Sequence, residues 1–289
     1  MGRGVLLGAA AVASFAPLPV QIGFAAIALG IVGMAHGAGD LAIVEDRRRP
    51  LFLALYGATA LACLFWWIAH PAVALPVFLL ASAVHFGVED APANRPLERI
   101  LRGISLVATP AALHRAELDQ LLRVAGGSER LATALTGIYA IAGLLAGALL
   151  LLIAVQRHDA RLLAGTAALL VLPPLVGFSV GFLILHALPQ TAERQRQLGT
   201  ADLASYLKVV APVLAAAIVI VGVIGLVLLN LEATGVRSLF AGIAALAIPH
   251  LLVTPWFEPA GSAAHGQTVP GAAIRRGVPW TGVTPQENA

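Results

Sequence analysis

The chain is short of cysteine, of charge and of one familiar metal motif. A single cysteine, Cys63, stands in 289 residues, so neither an intramolecular disulfide nor a thiolate metal cluster can form. It lies in an apolar run beside Phe65 and Trp66 and reads as a small buried or lipid-facing residue. Charged residues make up 11% of the chain, where a soluble domain carries about 25%. So little polar material cannot cover a surface in water. The HExxH arrangement is absent, which removes the zinc-protease reading. Nucleic-acid-binding motifs are absent too, so the net charge of +3 and the pI near 9.6 belong to arginines in short loops.

What is present is apolar. Hydrophobic residues fill 59% of the chain and mean hydropathy is +0.88, in long stretches bounded by arginine clusters. This pattern predicts an all-α, polytopic transmembrane helical bundle. It places the chain in the cell (inner or plasma) membrane as a multi-pass protein, with the lipid bilayer as its solvent. Residues 1–257 form one membrane domain. Residues 258–289 are rich in Gly, Pro and Ser, lack apolar periodicity and read as a disordered cytoplasmic tail. Near the start, Arg3 and a short apolar run imitate a signal peptide. Pro17 and Pro19 lead straight into further apolar helix, with no small-x-small site before a polar chain, so the segment is read as retained.

Hydropathy predicts seven spans, at about 20–44, 51–69, 72–88, 131–155, 162–188, 207–229 and 239–257. The stretch 5–14 is too short to span at about 1.5 Å per residue, and reads as re-entrant, interfacial or an irregular extra span. Across residues 95–130, Leu97, Ile100, Leu101 and Ile104 alternate with Glu98, Arg99 and Arg102, which predicts an amphipathic interfacial segment on the membrane surface. Pro173 and Pro174 predict a kink or break in the fifth span. Basic residues gather after the odd spans: Arg47, Arg48 and Arg49; Arg95, Arg99, Arg102, Arg115, Arg123 and Arg130; Arg194, Arg196 and Lys208; Arg275 and Arg276. Only Arg157, Arg161 and Arg237 come after the even ones. The positive-inside rule then puts the ends of the odd spans, and the C-terminus, in the cytoplasm.

Eight histidines sort on this frame. His36, His85, His186 and His250 all fall in the last turns of odd spans, at one depth. His70 and His158 fall at the opposite face, His114 in the surface segment and His265 in the tail. A neutral imidazole in lipid must satisfy two ring nitrogens. Taken singly, each of the four is a hydrogen-bonded core residue. Together at one depth they predict a shared metal site, and imidazoles without thiolates suit iron, zinc or copper. Asp40 comes four residues after His36, one turn along the same face, and Asp90 comes five after His85. Each carboxylate fits either of two roles. It accepts an imidazole N–H, fixing the tautomer and raising ligand basicity, or it caps a helix at the interface. Gly33, Gly37 and Gly87 let helices or a bulky ligand approach closely.

These elements resemble the Brp/Blh family of bacterial and archaeal β-carotene 15,15′-dioxygenases. A Gly/Pro-x-His-Gly-x-x-Asp element is matched by Gly33, His36, Gly37 and Asp40, with Ala35 where proline is common. A His-Phe-Gly-x-x-Asp element is matched by His85, Phe86, Gly87 and Asp90. Phe182 with His186, and Pro249 with His250, resemble two later motifs. The resemblance implies a membrane-embedded, non-haem Fe(II) centre that uses O₂ to split the central double bond of β-carotene, or a related apolar polyene, into retinal. Carried over, His36, His85 and His186 are iron ligands, and Asp40 and Asp90 orient imidazoles. The family places a further histidine four residues after the third, where this chain has Gln190. Either Gln190 ligates through its carbonyl oxygen or His250 completes the site. Phe86, Phe178, Phe182 and Trp256 are candidates for lining a polyene tunnel. Three other readings use the same histidines: a haem or metal carrier, a transporter that relays protons or binds an ion, and another histidine-rich membrane oxygenase.

Overall fold

The computed structural model describes residues 2–230 and 233–257, and among them every regular element is helical. The tail expected at 258–289, with His265, Arg275 and Arg276, lies outside the described residues. Seven helical stretches are long and apolar enough to cross a membrane, so the chain is an all-α polytopic bundle.

The first helices are α1 (Gly2–Ser14) and α2 (Leu18–Ile27). The 13 residues of α1 reach about 20 Å, short of a hydrocarbon core of roughly 30 Å. Its Ala10 and Ala13 pack beside Val176 and Val180, so it props a later helix. A π-helical turn, Ala28–Gly33, carries α2 into two short helices, α3 (Ala35–Ala38) and α4 (Asp40–Ile43). The first span is therefore broken just where the sequence places its first histidine. Next come α5 (Arg49–Ala69) and α6 (Pro71–Asp90), joined at His70.

The segment expected on the membrane surface is not there. Three helices occupy it: α7 (Pro96–Ala108), α8 (Pro110–Leu113) and α9 (Arg115–Gly126). They run antiparallel to α10 (Glu129–Arg157) along its whole length. Arg157 Nη1 donates to Glu98 Oε2 at 2.6 Å at one end, and Thr109 Oγ1 donates to the Gly143 carbonyl at 3.2 Å midway. Arg123 Nη1 donates to Glu129 Oε1 at 2.6 Å at the other end. The amphipathicity of α7 is inside-out. Leu97 and Ile100 are exposed, whereas Glu98 and Arg102 are buried as an ion pair at 2.7 Å. In lipid, paired charges belong inside and apolar side chains outside, so a helical charge pattern marks protein contact there. Glycine makes the contact close: a Cβ on Gly87 of α6 would lie 2.5 Å from the Arg99 carbonyl of α7.

This passage rearranges the charges. Arg157 joins the end that holds Glu98 and Arg102, and Arg161 comes after it there. Arg123 goes to the opposite end, as does Arg237, which reaches the Val124 carbonyl of α9. His158, the left-handed C-cap of α10 with φ 54°, also lies at the histidine end and not at the opposite face.

The expected fifth span is a hairpin whose second arm runs back out past the histidines. Only 12 residues long, α11 (Ala160–Val171) ends at the Pro173-Pro174 turn, and α12 (Pro174–Phe182) packs back along it. A second π-helical turn, Leu183–Ala187, then leads into α13 (Leu188–Gln197). The described residues close with α14 (Leu203–Leu228), α15 (Val236–Leu252) and a 3-10 turn at Thr254–Trp256.

Candidate metal centre

Four elements deliver one histidine each. His36 lies on α3 just after the first π turn, His85 near the end of α6, His186 inside the second π turn, and His250 on α15 after Pro249. Their rings form a closed square. His36 meets His186 at 5.1 Å between centroids, His186 meets His85 at 5.1 Å, His85 meets His250 at 5.4 Å, and His250 meets His36 at 5.3 Å. His186 is 1% exposed, and His36 and His250 are also buried. A π turn inserts a residue into the helical register and rotates the side chains beyond it, which is why such turns gather at functional positions. The first one leaves the Gly33 carbonyl to accept from His36 Nδ1 at 2.5 Å. Gly33 has a second use, since a Cβ there would lie 2.7 Å from Phe182 Cε1.

The carboxylates are laced across the bundle. Asp40, four residues from His36, accepts instead from His250 Nδ1 at 2.5 Å and from Thr254 Oγ1 at 2.8 Å. Its other oxygen pairs with Arg194 at 3.2 Å. Asp90, five residues from His85, accepts from His186 Nδ1 at 2.9 Å. The geometry explains both departures. The helix is interrupted at Gly39, so Asp40 does not continue the face of His36. Five residues turn Asp90 about 140° round α6 from His85. Each carboxylate thus fixes the histidine of another element, tying helices together at the site.

The ring nitrogens divide between these bonds and the space among the rings. With Nδ1 committed on His36, His186 and His250, Nε2 is the free donor of each. Among the described residues, His250 Nε2 is buried with no hydrogen-bond partner. Such an orphan costs about 1–3 kcal/mol, and a cation held between the rings would supply its partner. The donor atoms of His85, His186 and Glu89 lie within 4.8 Å of one another. Neutral imidazoles with a carboxylate suit a first-row divalent metal, so the residues present fit one.

An apolar cavity of about 240 Å³ opens from the histidines. Along α15 its lining runs from His250 to Leu239, roughly 17 Å at the helical rise. Leu121 and Tyr139 line the far end. Phe86, Phe178 and Phe182 line it too, Phe178 and Phe182 stacked at 5.9 Å. Trp256 does not. The 3-10 turn after α15 leaves its side chain 79% exposed, while its carbonyl accepts from Arg48 at 3.0 Å. Gln190 sits half-buried on α13 and does not line the cavity either.

Sequence reading missed Glu89, Arg194 and Thr254. Glu89 had a signal, its four-residue spacing from His85. Arg194 and Thr254 had none, because they meet Asp40 only through folding.

No curated protein and no solved structure is detectably similar to the chain. A model of the beta-carotene 15,15′-dioxygenase family matches residues 27–258, a stretch that contains all four clustered histidines, both laced carboxylates and the cavity. The chain therefore belongs to the beta-carotene 15,15′-dioxygenase family.

Proposed function

We propose that the chain is a membrane-embedded, non-haem iron dioxygenase that cleaves the central double bond of β-carotene, or a related carotenoid, to retinal. The observation that carries this is the square of four imidazoles at the head of an apolar cavity, within a family of carotenoid-cleaving dioxygenases. His36, His85, His186 and His250 would hold Fe(II). Iron supplies, when bound, a centre at which O₂ can react with a polyene. The balance is simple: one carbon–carbon double bond breaks, and each oxygen atom of O₂ becomes the oxygen of one aldehyde. No external reductant is consumed.

The chain's own residues do the rest. Gly33, Asp90 and Asp40 hold the imidazole N–H groups of His36, His186 and His250, so the opposite nitrogens present lone pairs. Arg194 and Thr254 keep Asp40 in place. Phe178 and Phe182 offer stacked faces to a flat conjugated chain, holding it against the histidines and raising its effective concentration there. The apolar lining excludes water, which protects reactive species from side reactions. Most described basic residues, Arg47, Arg48, Arg49, Arg95, Arg99, Arg102, Arg157, Arg161, Arg194 and Arg196, belong to the histidine end. That bias supports a cytoplasmic histidine end and C-terminus in the cell membrane.

A haem carrier is disfavoured by the ring contacts. A macrocycle needs a slot between two axial imidazoles, and rings 5.1–5.4 Å apart leave none. The test is expression in a β-carotene-accumulating bacterium supplied with iron, with chromatography of the pigments. Loss of β-carotene with two retinals per molecule, and no Soret band in the purified protein, is the expected result. Unchanged carotene beside a folded, iron-loaded protein would sink the assignment.

A further inference from the structure

The carboxylate of Glu89, its side chain 34% exposed, stands beside the histidines at the edge of the centre and neither holds an imidazole N–H nor lines the cavity. It stands one helical turn after His85 on α6, with Oε2 3.5 Å from His85 Nε2. Its donor atom shares a 4.8 Å cluster with those of His85 and His186. Ligands about 2.1 Å from one ion are separated by roughly 3.0 Å when adjacent and 4.2 Å when opposite, and the 3.5 Å between Glu89 Oε2 and His85 Nε2 lies in that range. Glu89 does not line the apolar cavity, whereas His85 and His186 do. The carboxylate therefore approaches the histidines from outside the cavity and leaves that side open.

Charge points the same way. A divalent ion held by neutral imidazoles would bring two positive charges into a low-dielectric interior, where charge must be balanced. Asp40 is already matched by Arg194. Asp90 supplies one negative charge through His186. Glu89, reaching in from the exposed edge, supplies the second.

Resting on the reading of the histidine square as a metal site, we propose that Glu89 is an additional metal ligand of this chain, completing the square with one carboxylate on the face away from the cavity. The probe is Co(II) alone, added to the full-length protein in lipid nanodiscs and monitored by titration and by the visible d–d spectrum. Glu89→Gln is expected to weaken cobalt binding at least tenfold and to change the band. Glu89→Asp keeps the charge but shortens the arm, and is expected to bind cobalt with a shifted band. Glu193→Gln, at an ion pair with Arg196 outside the cluster, serves as the control and leaves both unchanged. Wild-type affinity and an unaltered band in Glu89→Gln overturn the assignment while leaving the histidine site standing. Should Glu89→Gln fail to fold, an unaltered band in Glu89→Asp overturns it equally. A wild-type protein that binds no cobalt overturns the metal reading and the Glu89 ligand with it.

Discussion

Two spans of similar length stand in contrast. The most apolar window of Leu203–Leu228, which is α14, has a mean hydropathy of 2.8 and is only 6% buried. The most apolar window of Pro174–Gln197, which is formed by α12, its π turn and α13, has a mean hydropathy of 1.5 and is 61% buried. In water the more apolar helix would be the inner one. In a bilayer the order inverts, because lipid already satisfies apolar side chains and only the interior can satisfy a histidine, a glycine or a buried carboxylate. The low-hydropathy span is the one with the π turn, with His186 and with stacked Phe178 and Phe182. Regularity obeys the same division. Lipid-facing α14 runs as one α-helix, whereas the inner span tolerates a break because neighbouring helices surround it.

Substitutions on the two spans should differ accordingly. The largest effect is expected for His186→Ala, which removes one side of the square. Metal content, read by elemental analysis, and retinal formation should both fall by more than the roughly 100-fold upper end seen for outer partners of metal ligands. Retained iron at wild-type stoichiometry would show that the square is not the metal site. Next comes Asp90→Asn, which leaves His186 in place but weakens its hydrogen bond. Metal affinity is expected to drop about 10–100-fold with the helical circular dichroism unchanged. The smallest effect belongs to α14, where Val219 is 65% exposed. Val219→Ala should shift stability by no more than about 0.5 kcal/mol, as surface substitutions do, and leave retinal formation within about twofold of wild type. A large loss there would break the comparison by showing that α14 is an inner helix in the membrane.

The histidines were legible in the chain for a reason that survived two misreadings. Sequence patterning sent residues 95–130 to the surface and made 162–188 a complete crossing. The segment instead descends the bundle as α7 to α9, and α11 turns back midway. One crossing was missed and one overcounted, so His186 still arrives at the end that holds His36, His85 and His250. Arg157 and His158 did not escape, because they lie between the two errors. The first misreading has a physical source. Amphipathic periodicity reports two unlike faces but not which solvent each one meets, and Glu98 with Arg102 on α7 faces protein.

By itself, the sequence determined the solvent, the helical class and the identity of the four imidazoles. Each of these rests on composition or on residues a few positions apart, and lipid allows few alternatives to the helix. Tertiary structure alone decided who holds whom. Asp40 serves His250 and Thr254 across more than two hundred residues of chain, and Asp90 serves His186. Those pairings depend on how α4, α6, the π turn before α13 and α15 cross, and on the break at Gly39 that turns Asp40 away from His36. Local spacing can nominate a ligand, but its orienting partner is fixed by packing between helices that the chain order does not place side by side.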